Sequence, residues 1–220
     1  MKEQTYVEEP ESVLKESIKK EIFLMAASTN RGQFASKDEK NTISDLVYEL
    51  EAMGSSSGGV MEGSWDLLYS DGQLFLSSPF FLSIGEFFED KSKADRAFDL
   101  HRAATSTSEI GKVKQSISGS EIVSEVELKV GTFPSVPFSI KGTVVSKGEI
   151  RKIDENTIGV VASTTSVKDG NLLPFLNESF QLPVKQALRN LKGGREPEAM
   201  IQTVYLDFDM RIAKAQNHLF

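Results

Sequence analysis

The sequence predicts a mainly β protein, namely an antiparallel β-barrel that follows an N-terminal two-helix hairpin and is covered by short helices. Two observations support this prediction. Apolar residues recur at helical spacing before residue 54, and from Gly63 onward they alternate with polar residues in short runs. An antiparallel sheet with one continuous apolar face must close into a barrel or pack on another layer, and the number of alternating runs favours a barrel.

The composition is typical of a folded globular domain and excludes several classes of function. The chain has 220 residues, of which 39% are hydrophobic, a formal net charge of -7 and no cysteine. The acidic balance argues against a nucleic-acid partner, and the lack of cysteine excludes disulfides, thiol nucleophiles and thiolate metal sites. No run reaches the roughly 20 apolar residues of a membrane-spanning helix, and the acidic N-terminus resembles neither a signal peptide nor a transit peptide.

Residues 11–53 have the periodicity of two amphipathic helices. The first carries an apolar stripe at spacings of four, four and three, and it ends at the turn-forming residues 30–32. The second begins with Ser36 and Glu39, the pattern of a capping box. Such stripes need a surface to cover them, so we expect the hairpin to pack on the rest of the protein or on a partner. The stripe residues are Leu14, Ile18, Ile22 and Met25 in the first helix and Ile43, Leu46, Val47 and Leu50 in the second.

Residues 54–60, with the sequence GSSSGGV, are predicted to form a flexible linker. Residues 54–58 also match the G-x-S-x-G pattern of a hydrolase nucleophile. That pattern requires a strand-to-helix turn and an available histidine, whereas here it lies in a low-complexity run after a helix. The linker is therefore favoured, and it divides the chain into a helical extension with linker over 1–60 and a β-barrel over 61–220.

The clearest strand pattern lies between Ile122 and Val130. Apolar residues and Ser124 occupy one parity there, whereas Glu121 and Lys129 belong to the other. Short runs of this kind, separated by turn signals at 119–120, 147–148 and 154–156, indicate antiparallel hairpins. The predicted apolar faces are Ile122, Val126, Leu128 and Val130; Val136, Phe138, Ile140, Gly142 and Val144; Ile158, Val160, Ala162 and Thr164; and Met200, Gln202, Val204 and Leu206.

Two segments interrupt the strands. The segment 172–192 is expected to form a short helix after Pro183. The segment 79–104 is rich in phenylalanine, and such residues could plug one end of a barrel, line its mouth or enter a membrane surface. Plugging is favoured. The candidate residues for contact with a membrane or a protein partner are Phe80, Phe81, Phe87 and Phe88.

The single tryptophan gives a first resemblance to known folds. Gly63 and Trp65 form a G-x-W on the first predicted strand, which resembles the opening motif of lipocalin-like barrels. In those barrels the indole closes one end, and an arginine from the last part of the chain lies across it. Arg211 is the corresponding residue here, and a cation-π contact would join the two. These three residues are the candidates for closing the barrel, and we expect Trp65 to be deeply buried.

Longer segments resemble the plastid lipid-associated proteins, also called fibrillins. These segments are MAASTNRG, LVYELE, GSWDLLYS, DLHRAA with IGKVKQ, and the closing VYLDFDMRIAKAQNHLF. The resemblance covers about residues 14–220. Members carry a transit peptide and usually continue the last strand past the position of Phe220, which implies that both ends of this sequence are trimmed.

The resemblance implies a lipocalin-like barrel in plastids, at thylakoids or at the lipid droplets called plastoglobules. It also implies a non-enzymatic protein without a cofactor, which binds or organises prenylquinones, carotenoids or acyl lipids. An eight-stranded barrel holds side chains or one small ligand. The candidate lining residues, taken from the predicted inner faces, are Val126, Leu128, Phe138, Ile140, Val160 and Val204.

The polar residues offer little support for catalysis or metal binding. The two histidines, His101 and His218, would leave a transition-metal site dependent on carboxylates. Asp207, Asp209 and Arg211 lie two apart, and on a strand they would share one face. Such a row favours a structural cap at the rim of the barrel.

Two functions from different classes remain. One is a lipid carrier with an open barrel interior. The other is an interaction or coat protein with a filled interior, whose helical hairpin and segment 80–88 dock on a droplet surface or on an enzyme of the prenylquinone pathway. The packing of the barrel interior distinguishes the two, and sequence patterns do not determine that packing.

Overall fold

Four helices and nine strands are described in the structure, which is a computed structural model. It describes residues 10–54, 61–87, 92, 108–130, 140–170, 181–191, 193–194, 196–215 and 218–220. The helices are α1 (Glu11–Ser28), α2 (Lys37–Met53), α3 (Pro79–Phe87) and α4 (Val184–Leu191), with a 3-10 turn at Leu74–Ser77. The strands are β1 (Gly63–Asp66), β2 (Ser108–Ser118), β3 (Glu121–Val130), β4 (Ile140–Lys152), β5 (Thr157–Lys168), β6 (Gln181–Leu182), β7 (Ala199–Leu206), β8 (Arg211–Ala215) and β9 (His218–Leu219). The start of α4 directly after Pro183 confirms the helix predicted there.

The strands belong to one antiparallel sheet that curls into a half-barrel. Their order is β1-β2-β3-β4-β5-β7-β8-β9, and β6 pairs with the C-terminal half of β5. The two ends of the sheet approach each other at Asp71. Its backbone N–H donates to the Leu219 carbonyl at 3.2 Å, and its carboxylate accepts from the Leu219 N–H at 3.0 Å. The predicted fold class, mainly β and lipocalin-like, is confirmed.

The inner face of the sheet follows the alternation predicted for β3. Ile122, Ser124 and Val126 are buried, whereas Glu121 and Lys129 are exposed. Because paired residues in an antiparallel sheet share a face, the register extends this inner face to the neighbouring strands. A core cluster forms there around Leu82 of α3. Its strand members are Ile117, Ile122, Ile158, Val160, Ala199, Ile201, Ala213 and Ala215.

The predicted inner face of β7 is wrong, because Met200 and Gln202 are exposed. The register against β8 shifts between Thr203 and Tyr205, so Val204 is a bulge residue. Before the bulge, the buried residues of β7 belong to the barrel core; after it, Tyr205 belongs to the cluster beneath α1 and α2. A bulge depends on the partner strand, and alternation within one strand cannot reveal it.

α3 packs against the inner face of the sheet. Leu82 belongs to the barrel core, and Ser83 Oγ accepts the N–H of Ala162 at 3.0 Å. Gly148 is predicted to lie in a turn, but it lies within β4, where an added Cβ would come within 3.2 Å of Pro79 Cβ. The missing side chain therefore permits the close approach of α3. The other predicted turns, at 119–120 and 154–156, are confirmed as the connections from β2 to β3 and from β4 to β5.

α1 and α2 form the predicted hairpin, and its capping box is present. Ser36 Oγ accepts from the Glu39 N–H at 3.2 Å, and the Glu39 carboxylate accepts from the Ser36 N–H at 2.7 Å. Leu14 departs from the predicted stripe, because it is 40% exposed near the start of α1. The stripe residues that are buried are Ile18 and Ile22 in α1 and Ile43, Leu46, Val47 and Leu50 in α2.

The hairpin packs on the outer face of β7 and β8. Ile212 and Ala213 are consecutive in β8 and therefore point to opposite faces of the sheet. Ile212 and its cross-strand partner Tyr205 belong to the hairpin cluster, whereas Ala213 belongs to the barrel core. The helices and these strands thus share one core. The domain division at residue 60 stays a prediction, since residues 55–60 lie outside the described part of the chain.

The turn between α1 and α2 is attached to β2. Arg31 and Gly32 have φ values of 61° and 84°, and a Cβ on Gly32 would lie 2.3 Å from the carbonyl oxygen of Ser70. Only glycine fits at that position. The Arg31 guanidinium donates to the carbonyls of Ile110 and Gly111, both at 2.7 Å. These carbonyls lie where the register of β2 shifts, so the bulge supplies the acceptors that hold the turn.

Lys19 connects α1 to the turn between β7 and β8. Its side chain is 1% exposed, and Nζ donates to Asp207 Oδ2 at 3.0 Å and to Asp209 Oδ1 at 2.5 Å. Asp207 also accepts from the Tyr205 hydroxyl at 2.8 Å. Because residues 207–210 form a turn rather than a strand, the predicted row of Asp207, Asp209 and Arg211 on one face is wrong. The positive charge that offsets the two carboxylates is Lys19.

Burial and hydrogen bonding shift the pKa values of Lys19 and Asp207 in opposite directions. Burial raises the pKa of Asp207, but the hydrogen bonds that it accepts, above all the one from Lys19, outweigh burial and lower the pKa to about 2. Burial lowers the pKa of Lys19, whereas its hydrogen bonds to Asp209 and Asp207 raise the pKa above its ordinary value. Both groups are therefore charged at neutral pH, and the cluster is a buried ion pair.

Replacing Lys19 with methionine should lower the free energy of unfolding by about 3 kcal/mol or more, because two carboxylates then lose their counter-charge. Lys20→Met, on the exposed side of the same helix, is the matched control and should cost less than about 0.5 kcal/mol. Urea unfolding followed by circular dichroism measures both values. Equal stability of the two variants would contradict the role assigned to Lys19.

The free energy of unfolding should also fall by about 2 kcal/mol as the pH drops from about 4 to about 2. A carboxyl group with a depressed pKa stabilises the fold above its unfolded-state pKa, and this stabilisation is lost as the pH falls through the folded-state value. Urea unfolding at a series of pH values measures this change. Asp207→Asn should lack this component, whereas Asp45→Asn, exposed on α2, should keep it. An Asp207→Asn variant with the wild-type pH profile contradicts the prediction.

Candidate functional site

A cavity of about 540 Å³ lies between the helical hairpin and the sheet. α1 and α2 form one wall. The other walls come from β1 with the segment after it, and from β2, β3, β7, β8 and β9. The helical lining consists of Ile22, Phe23, Ala26, Ile43 and Val47. The lining from the inner face of the sheet includes Val113, Gln115, Ser124, Ile201, Ala213 and Ala215.

The cavity opens to solvent beside the turn between β7 and β8. Among its lining residues, Phe208 is 82% exposed and Leu68 is 50% exposed, which locates the mouth. Phe208 lies close to Lys19, whose Nζ is 5.4 Å from the centroid of the ring. In contrast, Ser124 and Ala213 of the lining are buried. The cavity therefore has a buried interior and a mixed rim, where Phe208 and Leu68 lie among exposed polar residues of the lining, including Glu62, Ser64, Asp66 and Asp209.

The structure brings Trp65 and Arg211 together in the cavity wall. The guanidinium carbon of Arg211 is 5.9 Å from the centroid of the indole, and Trp65 Nε1 donates to the Met61 carbonyl at 3.0 Å. Arg211 Nη2 donates to Gln115 Oε1 at 2.5 Å. The expected deep burial of Trp65 is wrong, because the indole borders the cavity and is only partly buried. The role of Trp65 and Arg211 with Gly63 in closing the barrel stays a prediction.

Arg211 is a partly buried cation, and its Nη1 is a buried donor that no described residue engages. Burial lowers the pKa of its guanidinium to about 10, so the side chain remains charged at neutral pH. Its Nη1 is buried and forms no hydrogen bond with any residue that the structure describes. Buried donors and buried charges are unfavourable when they lack a partner. This part of the wall therefore offers both a hydrogen-bond donor and a positive charge to the cavity.

A row of polar residues crosses the inner face of the sheet beside Arg211. The cross-strand neighbours in this row are, in order, Trp65, Gln115, Ser124, Ser146 and Thr165. The hydroxyls of Ser146 and Thr165 lie 3.2 Å apart and share a hydrogen bond. Ser124 Oγ is buried and has no hydrogen-bond partner within the described ranges. A free hydroxyl thus lies directly across from Gln115, the residue that holds Arg211.

The predicted lining residues that the structure describes lie outside the lining of this cavity. Val126 and Val160 are buried on the inner face, where Leu128 is partly buried. Val204, at the bulge, packs on the hairpin cluster. Their role as lipid contacts stays a prediction. The remaining two are Ile140, which begins β4, and Phe138, which lies outside the described residues.

The predicted residues for membrane or partner contact lie on α3 or beyond it. Phe80 and Phe81 are partly buried and pack edge to face, with ring centroids 5.0 Å apart. Phe87 ends α3 and is partly buried, and Phe88 lies outside the described residues. Their role in contact with a membrane or partner stays a prediction.

The histidines and carboxylates do not assemble a metal site within the described ranges. His101 lies outside those ranges, and His218 Nδ1 lies 3.1 Å from Asp71 Oδ1. No group of three or more histidine or carboxylate side chains there is placed to hold a metal ion. None of the described helices is long and apolar enough to span a lipid bilayer.

Sequence reasoning misses two parts of the cavity wall. The hairpin stripes are predicted to be covered, but a stripe does not indicate whether it faces a packed core or a space. Gln115 lies in β2, where a register shift interrupts the alternation of apolar and polar residues. The sequence around it therefore does not indicate that its side chain faces the cavity. Ser124 does give one, because it is a polar residue within the apolar face of β3.

The comparisons with known proteins agree with this architecture. The PAP_fibrillin family model matches residues 16–220, a range that includes the hairpin, Trp65 and Arg211. No curated protein and no solved structure matches the chain. Because the family match extends over nearly the whole sequence, the chain belongs to the PAP/fibrillin family, the plastid lipid-associated proteins.

Proposed function

We propose that this protein binds a small hydrophobic molecule in the cavity between its half-barrel and its helical hairpin. The molecule would be a prenylquinone, a carotenoid or an acyl lipid, and the protein would carry or organise it at thylakoids or plastoglobules without catalysing a reaction. Membership of a family that is generally lipid-associated rather than enzymatic supports this proposal. The single observation that carries it is the cavity itself.

The size and lining of the cavity suit such a ligand. Its volume of about 540 Å³ lies within the range of about 300–1,000 Å³ that is typical of small-molecule sites. The hairpin wall is apolar, with Ile22, Ile43 and Val47 among its members. The polar groups converge on the sheet side, around Arg211 and Gln115. Apolar walls with a few placed polar groups are the usual composition of a pocket that both retains and orients a ligand.

A coat or docking function is the second candidate, and the mouth of the cavity favours it. Phe208 and Leu68 are exposed apolar side chains at that mouth. Exposed apolar residues grouped around an opening are typical of surfaces that contact lipid or protein. In this second function the protein would attach to a plastoglobule surface or to an enzyme of the prenylquinone pathway. The formal net charge of -7 favours neutral lipid over an anionic surface.

A cavity-filling substitution should weaken ligand binding. Ala26 is buried on α1 and lines the cavity, so Ala26→Phe should weaken binding of a short-chain prenylquinone by about tenfold or more. Quenching of Trp65 measures the binding directly, because Trp65 is the only tryptophan and borders the cavity. Ala27→Phe, one residue along on the exposed side of α1, is the matched control. Melting temperatures establish that both variants are folded, and equal affinities of the two would place the ligand elsewhere.

The exposed rim should govern attachment to a lipid surface. Phe208→Asp should lower partitioning onto neutral phosphatidylcholine vesicles by about tenfold, because an exposed aromatic ring is then no longer available for burial in lipid. Phe80→Asp, on the partly buried face of α3, tests the alternative contact. Co-sedimentation with the vesicles measures both variants. Loss of partitioning in Phe80→Asp alone would favour α3 as the contact, and unchanged partitioning in both would argue against the docking function.

A further inference from the structure

The guanidinium of Arg211 lacks an acidic partner. Its Nη2 donates to the neutral side chain of Gln115, and its Nη1 has no acceptor within the described residues. The side-chain carboxylates in the cavity lining are engaged elsewhere. Asp207 and Asp209 bind Lys19. Asp66 pairs with Lys112, and Glu62 accepts from the Gly119 N–H. A cation whose donor atom is buried is usually compensated by a counter-ion, and among the described side chains none supplies it.

A second unused donor lies on the same face of the sheet. Ser124 is the cross-strand neighbour of Gln115, and its buried hydroxyl also lacks an acceptor. Directly opposed side chains in an antiparallel pair lie about 4.5–5.5 Å apart at Cβ. Because Gln115 binds Arg211 on one side and faces Ser124 on the other, the two unused donors flank one short stretch of the inner face. Arg211 and Ser124 also both line the cavity, so one ligand group there can be offered both donors.

The chemistry of these donors restricts the group that they can bind. A guanidinium donates and never accepts, so the ligand atom must be an acceptor. An ester or quinone carbonyl would accept the hydrogen bond from Arg211, but it would leave the buried charge uncompensated. A carboxylate supplies both the acceptor atoms and the negative charge, and charge-assisted hydrogen bonds are about twice as strong as neutral ones.

We infer that the cavity takes an apolar monocarboxylate of the fatty-acid type, with its carboxylate on Arg211 Nη1 and Ser124 Oγ. The hydrocarbon chain then extends along the hairpin wall past Ile22 and Ala26 towards the rim at Phe208. This inference rests on the proposed function, since it names the class of ligand for the same cavity. The contact of Trp65 with Arg211 and the hydrogen bond to Gln115 hold the guanidinium in place before the ligand arrives.

The test compares two ligands that share one hydrocarbon chain. Isothermal titration calorimetry of the full chain with decanoate and with decanol separates the contribution of the head group from that of the chain. The wild-type protein should bind decanoate roughly ten- to hundredfold more tightly than decanol, as expected for a hydrogen-bonded charge. Equal affinities for the two ligands would overturn the inference while leaving the proposed cavity function in place.

Two variants test which residues cause the preference for decanoate over decanol. Arg211→Met should reduce decanoate affinity to the level of decanol and change decanol affinity by less than about twofold. Lys214→Met is the matched control on β8, because Lys214 is exposed on the outer face and should leave both affinities unchanged. Ser124→Ala should weaken decanoate alone by about three- to tenfold. Since Ser124 Oγ has no hydrogen bond to lose, this variant should melt at the wild-type temperature.

The outcomes separate this inference from the proposed function. A preference for decanoate that persists in both Arg211→Met and Ser124→Ala overturns the assignment of these residues. If Arg211→Met does not fold, Ser124→Ala decides, and an unchanged ratio of decanoate to decanol affinity overturns the inference. Failure of the wild-type chain to bind decanoate, decanol and the short-chain prenylquinone would contradict the proposed function and, with it, this inference.

Discussion

The hydrogen bonds from Lys19 to Asp207 and Asp209 attach the helical hairpin to the half-barrel, and the cavity depends on that attachment. The contact joins α1 to the turn from which β8 begins, and β8 carries Arg211 into the opposite wall. A buried ion pair contributes little net stability, because desolvation of both partners offsets their attraction. Its directional hydrogen bonds instead fix where the helix lies relative to the turn. This polar contact therefore helps to set the space between the hairpin and the sheet. Part of each apolar stripe lines that space, with Ile22 from α1 and Ile43 and Val47 from α2.

The hairpin also closes the side on which the sheet stays open. In the described part of the chain, β1 and β9 meet through Asp71 rather than through a strand ladder. The hairpin turn bonds the same segment, because the Ser70 N–H donates to the Arg31 carbonyl at 3.1 Å and Lys40 Nζ donates to the Asp71 carbonyl at 2.7 Å. A barrel closed by strands alone encloses its own interior. Here helices complete the enclosure, so the cavity has one wall of strands and one of helices.

Much of this fold can be predicted from the sequence where local chemistry determines local structure. The capping box at Ser36, the alternation in β3 and the pairing of Trp65 with Arg211 all depend on residues whose neighbours are visible in the chain or in a family motif. Gly148 shows where such prediction fails. It resembles a turn residue, yet it lies within a strand because α3 approaches it from a distant part of the chain. The lining of the cavity is hidden for the same reason, since it arises from the register between strands.

Because of the bulge at Val204, the two halves of β7 pack in different cores. On its N-terminal side, Ala199 and Ile201 fit the confined interior of the barrel. On its C-terminal side, Tyr205 spans the layer between the sheet and the hairpin and reaches Asp207. An insertion or deletion of one residue in this strand would exchange the two sets, turning an aromatic ring into the barrel and small side chains towards the helices. The length of β7 is thus constrained as strictly as its composition, and tolerance of substitution on one side of Val204 carries no information about the other.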